Sequence, residues 1–213
     1  FSGETNTPAV FIVEDAALEN ASRLLGECGS RFRVRIATKS VRCVEMLRKI
    51  VALSSRVIGL MSFHPGETAN LLDEGFMNIL LGYPVGSQAE ADVVAFAIAS
   101  HPNATVFVMA DLRQHLVWLQ NAAERAQCNI NICVDVDMSF PSFFGVKRSS
   151  LSSVADVLNF ARECEQFDRL KLDGLMGYEA QIAGLLNANV FIRALQVVSQ
   201  VGLQRRRTAV VNA

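Results

Sequence analysis

The run Arg33-Val34-Arg35-Ile36-Ala37-Thr38-Lys39-Ser40 carries the strongest structural signal in this chain. Side chains alternate between the two faces of a strand. One face is predicted to carry Phe32, Val34 and Ile36, and the other Arg33, Arg35 and Lys39. A charged strand face favours a closed barrel, because an open parallel sheet buries both faces whereas a barrel interior can be polar near its top. An amine that ends such a face has two uses: it pairs with an anion or it forms a Schiff base.

Strand-like runs alternate with helical patterns along the rest of the chain. Strand starts recur roughly every 22 to 27 residues, with one longer gap before the last, which is typical of β/α units and a parallel sheet. The predicted strands are Arg31–Thr38, Arg56–Ser62, Asn78–Leu81, Thr105–Met109, Ile130–Val136 and Arg169–Gly177. The predicted helices are Val41–Leu53, Glu67–Glu74, Ser87–Ser100, Leu112–Gln127, Ser152–Gln166 and Asn189–Val211.

This alternation predicts an α/β fold, a TIM (β/α)8-type barrel that is incomplete. Neither Gly-x-Gly-x-x-Gly nor a P-loop pattern follows the first strand, which argues against the nucleotide-binding open sheets. About six β/α units are found where a closed barrel needs eight. The 213 residues are therefore interpreted as a single domain that forms the N-terminal portion of a longer protein.

Composition is that of an apolar, core-rich globular protein. Hydrophobic residues make up 51%, charged residues 19%, the net charge is −1, and mean hydropathy is +0.27. A charge so close to zero predicts neither a nucleic-acid nor an anionic-membrane partner, and no apolar run has the length of a membrane span. The five cysteines are scattered without metal-ligand spacing, which predicts free thiols in a reducing, cytoplasmic compartment.

Active sites of barrels collect at the carboxyl ends of the strands. This rule selects Lys39 first, and then Ser62–His64, Tyr83, Asp111, Asp135 with Asp137, and Tyr178 with Glu179. The two aspartates of the fifth strand have two readings: a catalytic carboxylate pair, or interior residues that pair with Arg33 or Arg35. The three histidines, at positions 64, 101 and 115, lack metal-ligand spacing, so solvated or capping roles are predicted and no metal site.

Six segments, taken in chain order, resemble one enzyme family. They are Thr7–Val10, Arg33–Cys43, Ile79–Pro84, Cys133–Asp137, Gly145–Ser149 and Gly174–Gly184. They resemble the entry segment, the first, third and fifth strands, the basic turn after the fifth strand, and the sixth strand of fold type III pyridoxal-phosphate enzymes. The match is to the alanine racemase N-terminal domain, closest to the D-threonine aldolase and amino acid deaminase/aldolase branch, whose members include metal-activated enzymes.

The resemblance implies roles for four residues. Lys39 would be catalytic and would hold pyridoxal 5'-phosphate as an internal aldimine, with its pKa lowered by burial and by the nearby cation Arg35. Arg35 matches the arginine of the D-threonine aldolase motif. Tyr178 would lie near the cofactor ring, and Arg148 would meet the cofactor phenolate or a substrate carboxylate. The apolar stretch Met138–Phe144 departs from the family pattern.

The function that the resemblance implies is that of a pyridoxal-phosphate-dependent lyase/aldolase or deaminase acting on D- or β-hydroxy amino acids, as a homodimer. A non-catalytic pyridoxal-phosphate homeostasis barrel is the alternative. No Gly/Ser-rich phosphate cradle is found after Gly184. The ligands of the implied divalent metal belong to a C-terminal β domain that these residues do not include, so the chain alone is predicted to be inactive.

Overall fold

The computed structural model describes residues 11–139, 147–178, 204–205 and 207–212. Two compact units divide the chain, Phe1–Met61 and Ser62–Ala213. Six parallel strands alternate with helices, and their order in the sheet is their order in the sequence. This is the arrangement of part of a (β/α)8 barrel, so the predicted fold class is confirmed.

The first unit contains two helices and the first strands. Helix α1 (Glu14–Glu27) precedes strand β1 (Val34–Ala37), a 3-10 turn (Thr38–Ser40), helix α2 (Val44–Ala52) and strand β2 (Val57–Ser62). Strand β1 runs parallel to β2, with Val34 opposite Val57 and an irregularity immediately after Val34. The sequence did not predict α1, because its apolar residues are interrupted by small and polar ones.

The second unit contains four further strands, each preceded by a helix. Its elements are α3 (Pro65–Asp73), β3 (Asn78–Leu81), α4 (Gln88–Ser100), β4 (Thr105–Ala110), α5 (Arg113–Ala126), β5 (Ile130–Val136), α6 (Val154–Cys164) and β6 (Leu170–Gly177). Neighbouring strands from β3 to β6 pair in parallel. The predicted helix Asn189–Val211 lies mostly outside the described residues, of which 204–205 and 207–211 are helical.

Local sequence signals set the helix ends. Ser87 accepts a hydrogen bond from the Glu90 backbone N–H at 3.2 Å, as a predicted N-cap. Gly75 has φ +86° after α3, where it permits the left-handed end that other residues resist. Ser153 forms a capping box with Asp156 at the start of α6. Within the described residues, no helix has both the length and the apolarity that crossing a membrane requires.

Strands β4 and β5 form the centre of the core. Along β5 every side chain from Ile132 to Val136 is buried, which is usual for a parallel strand covered on both faces. The fully buried Leu116 and Leu119 of α5 belong to the same core. Burying a Leu or Ile side chain contributes about 1.5–3 kcal/mol, so this region supplies much of the stability. One consequence is that Asp135 is held inside an otherwise apolar strand.

Strand β6 approaches the end of β5 so closely that it needs glycine at position 177. A Cβ added at Gly177 would lie 2.7 Å from Met138 Cγ, whereas one added at Gly174 of the same strand would lie 3.5 Å from Cys133 Sγ. We therefore expect Gly177→Ala to lower the free energy of unfolding by about 1–3 kcal/mol, the usual cost of overpacking. Urea unfolding measures this change.

Gly174→Ala is the matched control, since its Cβ would make an ordinary contact. It should change stability far less than Gly177→Ala does. Adding Met138→Ala to Gly177→Ala should recover part of the loss. Equal destabilisation by both alanine substitutions would contradict the close approach.

Candidate functional site

In the second unit, polar side chains collect where the parallel strands end. Asp111 directly follows β4, Asp135 lies at the end of β5, and Asp137 follows it. Tyr83 lies two residues after β3, and Tyr178 directly follows β6. Because the carboxyl ends of parallel strands meet at one edge, these side chains are brought to the same side of the sheet.

Asp111 is buried and bound on two sides. One carboxylate oxygen, Oδ1, lies 3.3 Å from His115 Nδ1, and the other, Oδ2, accepts the backbone N–H of Ser150 at 3.3 Å. The Ser150 hydroxyl donates to the Asp111 carbonyl oxygen at 2.7 Å. Asp111 and His115 are only 8% and 9% exposed, so the pair lies almost wholly out of water.

Asp137 is the most deeply buried of the three carboxylates, at 3% exposure. Its Oδ1 accepts the backbone N–H groups of Ser139 and Arg148, each at 3.3 Å, and its Oδ2 accepts the Ser139 hydroxyl at 2.7 Å. Its own backbone N–H donates to the Leu151 carbonyl at 2.8 Å. Asp137 therefore anchors the backbone on both sides of the Arg148–Leu151 stretch.

Ser149 provides a further anchor. Its hydroxyl donates to the Asp135 carbonyl oxygen at 2.7 Å and accepts the Leu151 backbone N–H at 3.1 Å. Residues 148–151 are thus hydrogen-bonded to the ends of both β4 and β5. Buried backbone and carboxylate groups need such partners, so the segment has little freedom to move away.

The backbone of Arg148 is fixed by these bonds, and its side chain reaches two tyrosines. The guanidinium carbon lies 4.6 Å from the centre of the Tyr178 ring and 5.9 Å from that of Tyr83. Its Nη2 donates to the Tyr83 hydroxyl at 3.5 Å. The Tyr83 ring packs edge-on against Phe63, with 5.6 Å between ring centres. When a guanidinium lies over an aromatic ring, its N–H groups point outward in the guanidinium plane, where they can donate to an oxyanion.

The carboxylates of this cluster titrate in opposite directions. Burial works to raise the pKa of Asp111, but hydrogen bonds from His115, Ser149 and the Ser150 backbone outweigh it and lower that pKa. Burial raises the pKa of Asp135 to about 6, the charges of Asp111 and Asp137 add to the increase, and the Arg148 cation opposes it. Asp135 is therefore the carboxyl that takes up a proton near neutrality.

In the first unit, Lys39 lies outside the strand that was expected to orient it. Strand β1 ends at Ala37, so Lys39 falls in the 3-10 turn and the two-residue alternation does not extend to it. The turn is held by Thr38, which is buried and donates from Oγ1 to the Met61 carbonyl at 3.1 Å. Lys39 itself is exposed, whereas burial of the amine was expected.

Arg35 is half-buried in β1 and donates from Nη1 to the Leu60 carbonyl at 3.5 Å. It also lines a cavity of about 740 Å³ between α1, β1 and α2, whose other lining is mostly apolar. That lining, with Leu25, Met46 and Ile50, is typical of a packing surface rather than of a site with convergent polar groups.

Some of the predicted site residues contact one another in the structure, and the roles of all of them stay predictions. Arg148 and Tyr178 are in contact, while the cofactor roles assigned to them stay predictions. The roles of Lys39 and Arg35 stay predictions, and so does the pairing of Asp135 or Asp137 with Arg33 or Arg35. Glu179 and the residues up to Gly184 lie outside the described residues.

Among the histidines, the capping prediction is confirmed for two and wrong for one. His64 accepts the Gly66 backbone N–H at 3.0 Å at the start of α3, and His101 lies 2.9 Å from the Ala97 carbonyl at the end of α4. His115 is buried against Asp111 instead of solvated, because the first turn of α5 faces the strand end. The four-residue spacing from Asp111 to His115 was the available signal.

The described part of the chain contains no cluster of metal-ligating side chains. Across the described residues, no group of three or more His, Cys, Asp or Glu side chains could hold a metal ion. Of the described carboxylates at the strand ends, those of Asp111 and Asp137 already accept N–H donors.

Replacing Asp135 tests its raised pKa. With an unfolded pKa near the ordinary 3.8 and a folded pKa of about 6, the ionised carboxylate destabilises the fold as pH rises through this window. We expect Asp135→Asn to be more stable than the wild type at pH 8, by up to about 3 kcal/mol for a shift of about two units. Below pH 4 this gain should vanish.

Urea unfolding at the two pH values measures the difference. Asp111→Asn is the control of opposite sign: its lowered pKa means that the charged form is stabilised, so the variant should be less stable than wild type at pH 8. A pH-independent effect of Asp135→Asn would contradict the assignment.

Comparisons with known proteins agree on the fold. No protein-family model and no curated protein sequence matches the chain. Solved structures do. The D-threonine aldolase from Filomicrobium marinum superposes with a TM-score of 0.75 at 20% identity, covering 97% of this chain and 53% of the aldolase.

Two further structures share the architecture. The D-threo-3-hydroxyaspartate dehydratase from Delftia sp. has a TM-score of 0.70 at 13% identity, over 96% of this chain and 52% of the enzyme. The alanine racemase from Streptomyces lavendulae has a TM-score of 0.61 at 14% identity, over 90% of this chain and 47% of the racemase. The chain therefore spans about half the length of these enzymes and shares the fold of that half.

Proposed function

We propose that this chain is the cofactor-binding barrel portion of a pyridoxal-phosphate-dependent lyase, an aldolase or deaminase of D- or β-hydroxy amino acids. The observation that carries the proposal is the Arg148 guanidinium held over Tyr178 at the strand ends, in a fold shared with D-threonine aldolase. The activity belongs to a protein that contains this chain, since the chain spans about half of each enzyme it resembles.

The residues at the strand ends fit such a cofactor chemically. Pyridoxal phosphate presents a flat ring, a phenolate oxygen and a phosphate, and when bound it supplies an electron sink for carbanions. Arg148 offers in-plane N–H donors suited to the phenolate or to a substrate carboxylate. Tyr178 and Tyr83 offer aromatic surface beside that cation.

Lys39 supplies the covalent attachment in this proposal. It lies in a turn that directly follows a strand and that the buried Thr38 anchors to β2, so its backbone is positioned. Lys39 is exposed as a residue. An amine attacks a carbonyl only in its neutral form, so attachment should accelerate as pH rises.

Reductive trapping tests the role of Lys39. The purified protein is incubated with an equimolar amount of pyridoxal phosphate, reduced with borohydride and mapped by mass spectrometry. We expect the pyridoxyl group on the peptide that contains Lys39, and its loss from that peptide in Lys39→Ala.

Lys49→Ala is the matched control, because Lys49 is an exposed lysine whose amine lies 2.5 Å from the Glu14 carboxylate. Its labelling pattern should equal that of the wild type. Labels spread evenly over surface lysines, or an unchanged yield in Lys39→Ala, would sink the proposal.

Arg148 should contribute to cofactor affinity. A charge-assisted hydrogen bond is worth about 1.5–3 kcal/mol, so Arg148→Gln should raise the Kd for pyridoxal phosphate by roughly tenfold or more. Arg148→Lys keeps the charge without the planar fork and should recover only part of the affinity. The absorbance change on titration measures Kd.

Arg162→Gln serves as the control for that measurement. Arg162 is exposed on α6 and bonds to Asn159, away from the strand ends, so its loss should leave the Kd unchanged. Equal weakening in both glutamine variants would argue against an Arg148 contact with the cofactor.

A product assay on the longer protein distinguishes an enzyme from a cofactor carrier. The holoprotein is mixed with D-threonine or D-serine, with and without divalent metal. Release of glycine and aldehyde, or of a keto acid and ammonia, supports the lyase. Cofactor binding without any product would favour the homeostasis barrel.

A further inference from the structure

The buried pair of Asp111 and His115 has no part in the proposed cofactor chemistry. Both side chains are nearly inaccessible at the junction of β4 and α5, whereas Arg148 and Tyr83 at the same edge of the sheet are exposed. Carboxylate–imidazole pairs that are removed from water cost free energy to bury, and so their retention calls for a structural or positioning role.

The two oxygens of the Asp111 carboxylate face different partners. Oδ1 lies 3.3 Å from His115 Nδ1, while Oδ2 accepts the Ser150 backbone N–H at 3.3 Å. The orientation of the carboxylate therefore decides whether it reaches Ser150. His115 Nδ1 lies within reach of both the Asp111 backbone N–H, at 3.4 Å, and Oδ1. In the protonation state that places a hydrogen on Nδ1, the imidazole donates to Oδ1 and fixes the orientation of the planar carboxylate.

Ser150 lies two residues from Arg148 along the chain. The intervening Ser149 is bound to the Asp135 carbonyl at 2.7 Å, and the Arg148 backbone N–H is bound to Asp137 at 3.3 Å. Two bonds tie Ser150 to the end of β4: its backbone N–H donates to the Asp111 carboxylate, and its hydroxyl donates to the Asp111 carbonyl at 2.7 Å. Loss of the carboxylate would remove the first bond and loosen the backbone that carries the Arg148 side chain.

We propose that His115 and Asp111 are positioning residues, which anchor Ser150 to the end of β4 and so hold the Arg148 guanidinium over Tyr178. This deepens the proposed function, since it assigns the groups that set the geometry of the cation in that site. The placement of Arg148 can nevertheless be measured without any cofactor, so the two proposals fail separately.

Nuclear magnetic resonance of the cofactor-free protein reads the geometry directly. The Arg148 Nε–H signal, assigned with Arg148→Lys, should carry a ring-current shift because the guanidinium lies 4.6 Å from the Tyr178 ring centre. In His115→Ala that shift should fall toward the value of free arginine. In His115→Asn, whose amide places an N–H near the position of Nδ1, most of the shift should return.

A second His–Asp pair in the same unit provides matched controls. His101 Nε2 lies 3.3 Å from Asp73 Oδ1, the same separation as in the buried pair, but Asp73 is exposed. His101→Ala and Asp73→Asn should leave the Arg148 signal unchanged. Trp118, the single tryptophan of the chain, lies 6.1 Å from the His115 ring, so its fluorescence verifies that only the His115 variants alter this region.

Cofactor titration supplies the second readout. His115→Ala should raise the Kd for pyridoxal phosphate about fivefold to tenfold, with His115→Asn close to wild type and the control variants within twofold. An Arg148 signal that does not move in His115→Ala overturns the inference. Should that variant fail to fold, His115→Phe fills the space of the imidazole without its ring nitrogens, and an unmoved signal there is equally decisive.

If the wild type binds no cofactor, the proposed function fails, while the Arg148 signal still decides the positioning role. If the cofactor binds and the His115 variants shift neither signal nor Kd, the positioning role fails and the proposed function stands.

Discussion

The site of the second unit depends on the hydrogen bonds that the buried aspartates at the ends of β4 and β5 require. Three aspartates are buried there, and a buried carboxylate without donors would cost several kcal/mol. The segment from Arg148 to Leu151 supplies backbone N–H donors to the carboxylates of Asp137 and Asp111, and its serine hydroxyls donate to the main-chain carbonyls of Asp135 and Asp111. The same bonds that satisfy the carboxylates therefore place the backbone of Arg148.

The carboxylates of Asp111 and Asp135 differ in the hydrogen bonds they accept, and their pKa values shift in opposite directions. Hydrogen bonding, to His115 first and to the Ser150 backbone, lowers the pKa of Asp111 in spite of burial. The Asp135 side chain lies among negative charges, and burial raises its pKa to about 6. Pairs of acids whose pKa values are pushed apart are common in sites that move protons, since one group keeps its charge while the other exchanges a proton.

Likeness of fold and chemistry of the site are separate arguments here. A TM-score of 0.75 at 20% identity shows the shared architecture of a β/α barrel portion, and barrels of this kind support many reactions. The functional proposal therefore depends on particular groups: the Lys39 amine in an anchored turn, and the Arg148 cation over an aromatic ring.

The sequence by itself determined the six strands, helices α2 to α6 and the edge of the sheet at which polar residues collect. Those features follow from the spacing of apolar residues, which recur every two residues in strands and every 3.6 in helices and can be recognised within a short segment. It did not predict α1, nor the end of β1 at Ala37, where the 3-10 turn removes Lys39 from the strand alternation.

Only the tertiary structure decided which of these side chains contact one another. The contact between Arg148 and Tyr178 spans 30 positions in the chain, and that between Asp111 and Ser150 spans 39. Such pairs form because parallel strands bring their carboxyl ends to one edge, which no local pattern encodes. Sequence thus named most of the residues at the site, while packing decided which of them hold one another in place.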